Sequence, residues 1–350
     1  MIYCISLAKP FPKNPQEKSS KIAFFNIHSF NLIRLSLVKA IENNKFDKEK
    51  SAVEHDSLNV SFIGFGEAAQ AFAQGLRQEK RAVSLQAFDL KTAGPEAHLK
   101  HADYNKWNVV GKMSSADACH KADLIFSLVT ADQAENAASA AAETNLCSAL
   151  FLDCNSCAPD TKKRSAKKIA AAGGRYIDLS IMTPVHPNLH KSPCLMSGSE
   201  AQAALDVTTS LGMNTKVVGS QVGAASVRKM VRSVMVKGLE ALTLECFLAA
   251  RTAGIEDEVI SSLETSYPGF GWAQRAPYML ERMITHGNRR ADEMVEVTQT
   301  LRDLEIEPHM ASAIAKCHRE VGLMELDTQT IDSQNLGALS DAIMTKLSEV

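Results

Sequence analysis

Residues 59–78 read NVSFIGFGEAAQAFAQGLRQ, and the order of features in this stretch decides the fold. Asn59–Ile63 is a short apolar run, predicted to be a buried strand. Gly64-Phe65-Gly66 follows, and then a helical pattern with Phe72 and Leu76 at i and i+4. Strand, glycine turn and helix in this order make a seat for a pyrophosphate. Gly64 permits the tight turn, Gly66 lets backbone approach the phosphates, and the helix start offers unpaired N–H groups at the positive end of its dipole. Glu67 and Ala68 lie in that first turn. Ala69 stands at the third glycine of GxGxxG, a site that governs helix–strand packing and tolerates alanine.

Reading outward, a second strand, VSLQAFD, ends in Asp89, about 23 residues beyond Gly66. An acid there accepts hydrogen bonds from the ribose 2′-OH of NAD and repels the 2′-phosphate of NADP. Lys91, two residues on, would suit that phosphate, so NAD is the expected cofactor and NADP the second choice. Further strands are predicted at ADLIFSLVT (122–130), SALFLDCNS (148–156) and within AAGGRYIDLSIM (171–182), separated by Ala-rich helices. This alternation predicts an α/β fold, a Rossmann-type doubly wound parallel sheet. Ligands of such sheets bind beyond the carboxyl ends of the strands, which places Gly64, Asp89, Thr130, Asn155 and Ser156 along one rim.

From about residue 220 the pattern changes. AASVRKMVRSVMVKGLEALTLECFLAARTAG (224–254) reads as one long helix ended by Gly254, and the later segments are helical too, so an all-α helical domain follows the sheet. The expected division is 1–56, 57–219 and 220–350, the last forming a substrate and dimerisation domain. On the long helix Lys229, Ser233 and Lys237 share a row, with Arg228 and Arg232 one position behind. Its run LEALTLECFLAA exceeds what one small bundle needs, and a homodimer is expected.

Composition narrows the classes. The 350 residues carry 38 basic and 40 acidic side chains, a net charge of -2, so there is no electrostatic footprint for nucleic acid or an anionic membrane. With 45% hydrophobic and 22% charged residues the chain can fill a core, and a length near 350 suggests about two domains. No apolar run approaches the ~18 residues of a membrane span. Eight cysteines scattered over a long chain suggest free thiols in a reducing, cytoplasmic setting. Cys154 and Cys157 form a lone CxxC, and His186 and His190 are broken up by Pro187 and Pro193, so no metal site is expected. No GxSxG setting for a serine nucleophile occurs. Residues 1–56 lack the basic n-region of a secretory signal and carry too many acids for a mitochondrial presequence; they are expected to be a poorly ordered extension or an upstream start.

Taken together, GFGEAA (64–69), DCNSCAP (153–159) and GAASVRKMVRS (223–233) resemble the β-hydroxyacid dehydrogenase superfamily, which includes 3-hydroxyisobutyrate and 6-phosphogluconate dehydrogenases. The likeness runs from about 58 to 325, and its carboxy-terminal part looks like a sub-branch of unassigned substrate. The resemblance implies hydride transfer between a nicotinamide and a small hydroxy acid or sugar acid, with Lys229 as general acid and base. Its catalytic GxGxxxKxxxN becomes a pattern with Ala225 for the second glycine and Ser233 for the asparagine. Its substrate loop DxPVSGG becomes DLSIMTP (178–184), which keeps Asp178 but loses a backbone-rich cradle and implies a changed substrate. Ser180, Thr183, Arg232 and Ser233 are the candidate substrate contacts, and Arg289, Arg290 and Asp292 neighbour the family's distal cofactor lysine. The alternatives are imine reduction, which the lysine argues against, and a dinucleotide-binding sensor with little catalysis.

Overall fold

A computed structural model describes residues 57–349; the expected amino-terminal extension lies outside the described residues. Eight strands form one sheet: β1 Leu58–Ile63, β2 Val83–Phe88, β3 Val110–Gly111, β4 Leu124–Ser127, β5 Leu150–Asp153, β6 Arg175–Ile181, β7 Cys194–Ser197 and β8 Thr215–Gly219. Their order is β3-β2-β1-β4-β5-β6-β7-β8. The central strands are buried on both faces, hence the apolar runs Leu-Ile-Phe and Leu-Phe-Leu that open β4 and β5. The chain reverses direction across the sheet between β1 and β4, and a crevice opens there beyond the strand ends. Phe62 stacks on Phe126 at 5.7 Å and Phe72 meets Phe126 edge-on at 5.6 Å, so helix Glu67–Gln78 is keyed to the strands that carry the glycine turn.

Two strands depart from the parallel expectation. β7 runs antiparallel to β6, and β8 is parallel to β7. A parallel return needs a crossover of a dozen or more residues, usually a helix. Residues 182–193 hold three prolines and only a short 3-10 turn at Leu189–Lys191, so the chain doubles back instead.

Two long helices dominate the remainder, Ala224–Ala253 and Trp272–Asp303, with Glu256–Ser266, His309–Gly322 and Leu336–Ser348 packed around them. They have their own apolar core, which includes Met230, Leu280, Met283, Met294 and Leu339. Sheet and helices nevertheless belong to one compact unit. Two carboxylates join them, Asp178 fully buried and Glu296 partly so. Asp178 of β6 accepts the N–H groups of Gly223 (3.1 Å) and Ser226 (3.0 Å) and the Ser226 hydroxyl (2.6 Å). An anion at a helix start satisfies orphan N–H groups and meets the positive dipole end, so β6 sets where the Ala224–Ala253 helix begins. In return Glu296, on the Trp272–Asp303 helix, accepts the Ala158 N–H (2.6 Å) and the Thr161 hydroxyl (3.2 Å) at the start of helix Pro159–Ala171.

Candidate active site

The glycine turn behaves as its sequence requires. Gly64 sits in the left-handed region at φ 83°, and a Cβ there would come within 2.5 Å of the Leu128 carbonyl oxygen. Gly66 caps helix Glu67–Gln78 with no side-chain hydrogen bond, and a Cβ on it would meet nothing within 4 Å. The helix start therefore faces open space with its first N–H groups uncapped by side chains, and this arrangement fits a dinucleotide phosphate. Phe65 contributes backbone only. Its ring is buried against Phe62 and Tyr104, and its N–H donates to Asp89 Oδ2 at 2.7 Å. Asp89 Oδ1 accepts the Lys91 N–H at 2.9 Å, so the carboxylate at the end of β2 is held rigidly beside the glycine turn. Lys91 itself is exposed and paired with Glu96 at 2.8 Å.

Between this rim and the helices lies a cleft of about 610 Å³. Gly64, Gly66, Glu67, Ala68, Asp89, Thr130, Asn155, Ser156 and Thr183 line its sheet side, and Lys229, Arg282, Arg289 and Glu293 its helical side. Lys229 Nζ reaches across and donates to Ser156 Oγ at 2.6 Å. Burial, aided by the charges of Lys237 and Lys162, pushes the Lys229 ammonium down to about 8, while Glu293 opposes the shift. Glu293 takes Lys237 and Arg289, each at 2.8 Å. Burial alone would raise its carboxyl, but Lys237, Lys229 and Arg289 together hold it well below the usual carboxylate range.

Beneath the cleft floor a second ionic cluster holds the rim in place. Lys162 is fully buried and pairs with Asp153 at 2.8 Å and Asp178 at 3.7 Å. The Tyr176 hydroxyl donates to Asp153 at 2.6 Å. Asn155 spends its amide on this scaffold: Nδ2 donates to Asp153 (2.8 Å) and Ser127 (2.9 Å), and Oδ1 accepts the Val129 N–H (2.8 Å). It lines the cleft while tying the ends of β4 and β5 together.

Three expected substrate contacts lie elsewhere. Arg232 is exposed and donates to the Met182 carbonyl at 3.3 Å, outside the cleft lining. Ser233 is buried and donates its hydroxyl to the Lys229 carbonyl of its own helix at 2.9 Å while accepting from Lys237 Nζ at 3.4 Å. Ser180 is an interior residue of β6, 1% exposed. Arg228 is exposed and donates to the Ala224 carbonyl of its own helix, and the cations that lower Lys229 are Lys237 and Lys162. Arg290 pairs with Glu240 inside the helical core and Asp292 with Arg319, both away from the cleft lining. Sequence reasoning missed Arg282 and Glu293. Arg282, His286, Arg289 and Glu293 fall at steps of four, three and four along one helix face, a stripe that was readable, but nothing local says which cavity it meets. Among the described residues no group of His, Cys, Asp or Glu is arranged to hold a metal, and no helix is long and apolar enough to cross a membrane.

Comparison with known proteins agrees with this architecture. Residues 59–223 match the NAD binding domain of 6-phosphogluconate dehydrogenase, and residues 250–321 match a domain of unknown function, DUF1932. The crystal structure of a conserved hypothetical protein from Sinorhizobium meliloti 1021 is 33% identical, covers 83% of this chain and 97% of its own, and superposes with a TM-score of 0.63. A 3-hydroxyisobutyrate dehydrogenase from Pseudomonas aeruginosa is 24% identical over 222 residues, which is 61% of this chain and 72% of that protein. The Mycobacterium tuberculosis 3-hydroxyisobutyrate dehydrogenase structure shares the fold, with 13% identity, 82% of this chain and 98% of its own covered, and a TM-score of 0.62.

Proposed function

The chain belongs to the β-hydroxyacid dehydrogenase superfamily, in a branch of unassigned substrate whose first domain binds NAD(P), and from that premise we propose that it is an oxidoreductase acting on the CH–OH group of a small hydroxy acid or sugar acid, with Lys229 as general acid and base. Gly64, Gly66, Glu67, Ala68 and Thr130 would hold the dinucleotide along the rim, with Asp89 selecting NAD by its ribose. The bound nicotinamide supplies a hydride acceptor for oxidation and a hydride donor for reduction. Lys229 handles the proton: its neutral amine takes it from the substrate hydroxyl in oxidation, and its ammonium returns it to the carbonyl oxygen in reduction. Ser156, 2.6 Å from Nζ, orients the amine.

The observation that carries this reading is Lys229 itself. It stands on the far wall from the glycine turn, and at about 8 it holds usable amounts of both protonation states near neutral pH. An unperturbed lysine near ~10.4 would not. The test is turnover of a panel of short hydroxy acids and sugar acids, plus one cyclic imine, with NAD and NADP, followed by the absorbance of reduced nicotinamide. Oxidation of one or more hydroxy acids is expected. Turnover of the imine alone would replace this reading by C=N reduction.

Three coarser expectations accompany it. The functional division falls at 57–219 and 220–350, the Lys229 helix belonging to the second part. A cytoplasmic setting suits the seven described cysteines, all of them free thiols. A homodimer suits Val231, Met235 and Leu242, which are exposed along the outer face of the Ala224–Ala253 helix; sedimentation equilibrium checks it, a monomer at all concentrations being the contrary result.

A further inference from the structure

The helical wall of the cleft carries more positive charge than the protein neutralises. Glu293 is the one carboxylate that the Trp272–Asp303 helix brings to the cleft lining, and Lys237 and Arg289 already share it, each at 2.8 Å. Arg282 lines the same cleft and has no ion-pair partner among the described residues. Its Nε is buried with no hydrogen-bond partner. The adjacent Glu281 instead accepts the Thr285 hydroxyl at 2.7 Å. Burial, and the nearby charges of Arg290 and Arg289, depress the Arg282 guanidinium below its ordinary value against an opposing pull from Tyr278 and Glu281. His286, between the two arginines in sequence, is pushed down to about 4 by burial and by Arg282, Arg289 and Arg290, so it is neutral at physiological pH and adds no charge of its own. A half-buried guanidinium without a partner is costly unless something supplies the missing anion. On the sheet side Met182-Thr183-Pro184 offers one hydroxyl in the cleft lining, that of Thr183, and Arg232 is outside that lining and donates to the Met182 carbonyl.

We propose that Arg282 is the anion subsite of this cleft and receives an acidic group of the substrate, a carboxylate or phosphate. The planar fork of a guanidinium matches either group with two parallel hydrogen bonds. This deepens the hydroxy-acid reading above and rests on it. It also gives the altered Met182-Thr183-Pro184 loop a physical sense: recognition of the acid moves from a backbone cradle on the sheet to a side chain on the facing helix.

Cofactor phosphate has the same chemistry, so the experiment separates the two sources. Malonate and inorganic phosphate are titrated calorimetrically into the full chain saturated with NAD, in wild type, Arg282→Gln and Arg282→Lys. The expected result is binding of at least one probe to wild type, weakened at least about tenfold by Arg282→Gln, as loss of a charge-assisted hydrogen bond implies. Arg282→Lys, which keeps the charge but loses the fork, should bind it more weakly than wild type, and affinity for NAD and NADP should be unchanged in both variants. Failure of both probes to bind wild type overturns the proposal, as does probe affinity unchanged by either substitution or a loss confined to NAD or NADP. Should Arg282→Gln fail to fold, Arg282→Lys decides by the same criterion. Probe binding needs no turnover, so a chain that binds malonate through Arg282 yet oxidises no hydroxy acid sinks the dehydrogenase reading and leaves the subsite standing.

Discussion

Two lysines stand near the carboxyl ends of the central strands and meet opposite fates. Lys162 lies beneath the cleft floor, fully buried, with Asp153 at 2.8 Å and Asp178 at 3.7 Å. Burial opposes its charge, but the two carboxylates outweigh burial and hold it above the ordinary lysine value. Lys229 faces the cleft, and its hydrogen-bond partner is the neutral Ser156 hydroxyl. Glu293 pulls it up from a distance while Lys237 and Lys162 push it down, and burial prevails. Burial alone thus does not make a proton-transfer lysine; what separates the two is whether a carboxylate stands at contact distance. The paired lysine is structural, and the one left short of a counterion is suited to exchange its proton.

Four experiments bear on this contrast, in order of expected effect. Lys162→Met leaves Asp153 and Asp178 buried without their cation and should cost about 3–5 kcal/mol of stability, the usual penalty for halving a buried pair. Chemical denaturation measures it, and a loss below about 1 kcal/mol would show that the cluster relaxes or admits water. Lys229→Ala should reverse the pattern. Turnover falls at least about 10²-fold, cofactor binding persists, and stability at neutral pH does not drop. Its folded-state value lies below its unfolded one, so the charged lysine costs stability below about pH 8, and that cost fades as pH rises toward the ordinary lysine value. Near-normal turnover in this variant removes Lys229 from the chemistry.

The third experiment is a pH profile. Oxidation needs the neutral amine, so its kcat/KM should rise through an apparent pKa near 8, and reduction should fall through the same range. Glu293→Gln deletes the charge that opposes the shift, and both limbs should move to lower pH. A profile that stays put would mean that Glu293 only braces Lys237 and Arg289. The smallest effect belongs to the rim. Asp89→Ala should erode a preference for NAD over NADP, and an unchanged ratio of kcat/KM would show that the ribose is read elsewhere.

The glycine turn was legible because its chemistry is local. Gly64, Gly66 and the helix start lie within a few residues, and the αL turn and open N-terminus follow from which side chains are missing. Lys229 was legible through the resemblance of GAASVRKMVRS (223–233) to the family's catalytic stretch. Substrate contacts were not. Ser233 and Arg232 were read as substrate contacts on a helix drawn alone, yet one donates to the Lys229 carbonyl a turn back and the other is exposed and donates to the Met182 carbonyl. Asp178, kept at a position read as part of a substrate loop, turned out to cap the long helix. The antiparallel β7 was foreshadowed by Pro184, Pro187 and Pro193, whose density leaves no room for a crossover helix.

By itself the sequence determined the first strands of the sheet, the helical half that follows it and the glycine turn of the dinucleotide seat, because periodicity, glycine freedom and helix polarity act over short stretches of chain. Tertiary structure alone decided which charges face which cavity. Glu293 lies 64 residues from Lys229, and Lys162 lies 67 residues from it on the other side. A lysine's proton affinity is a sum over such distant neighbours and the water they displace, and neither exists until the helical half has closed over the sheet.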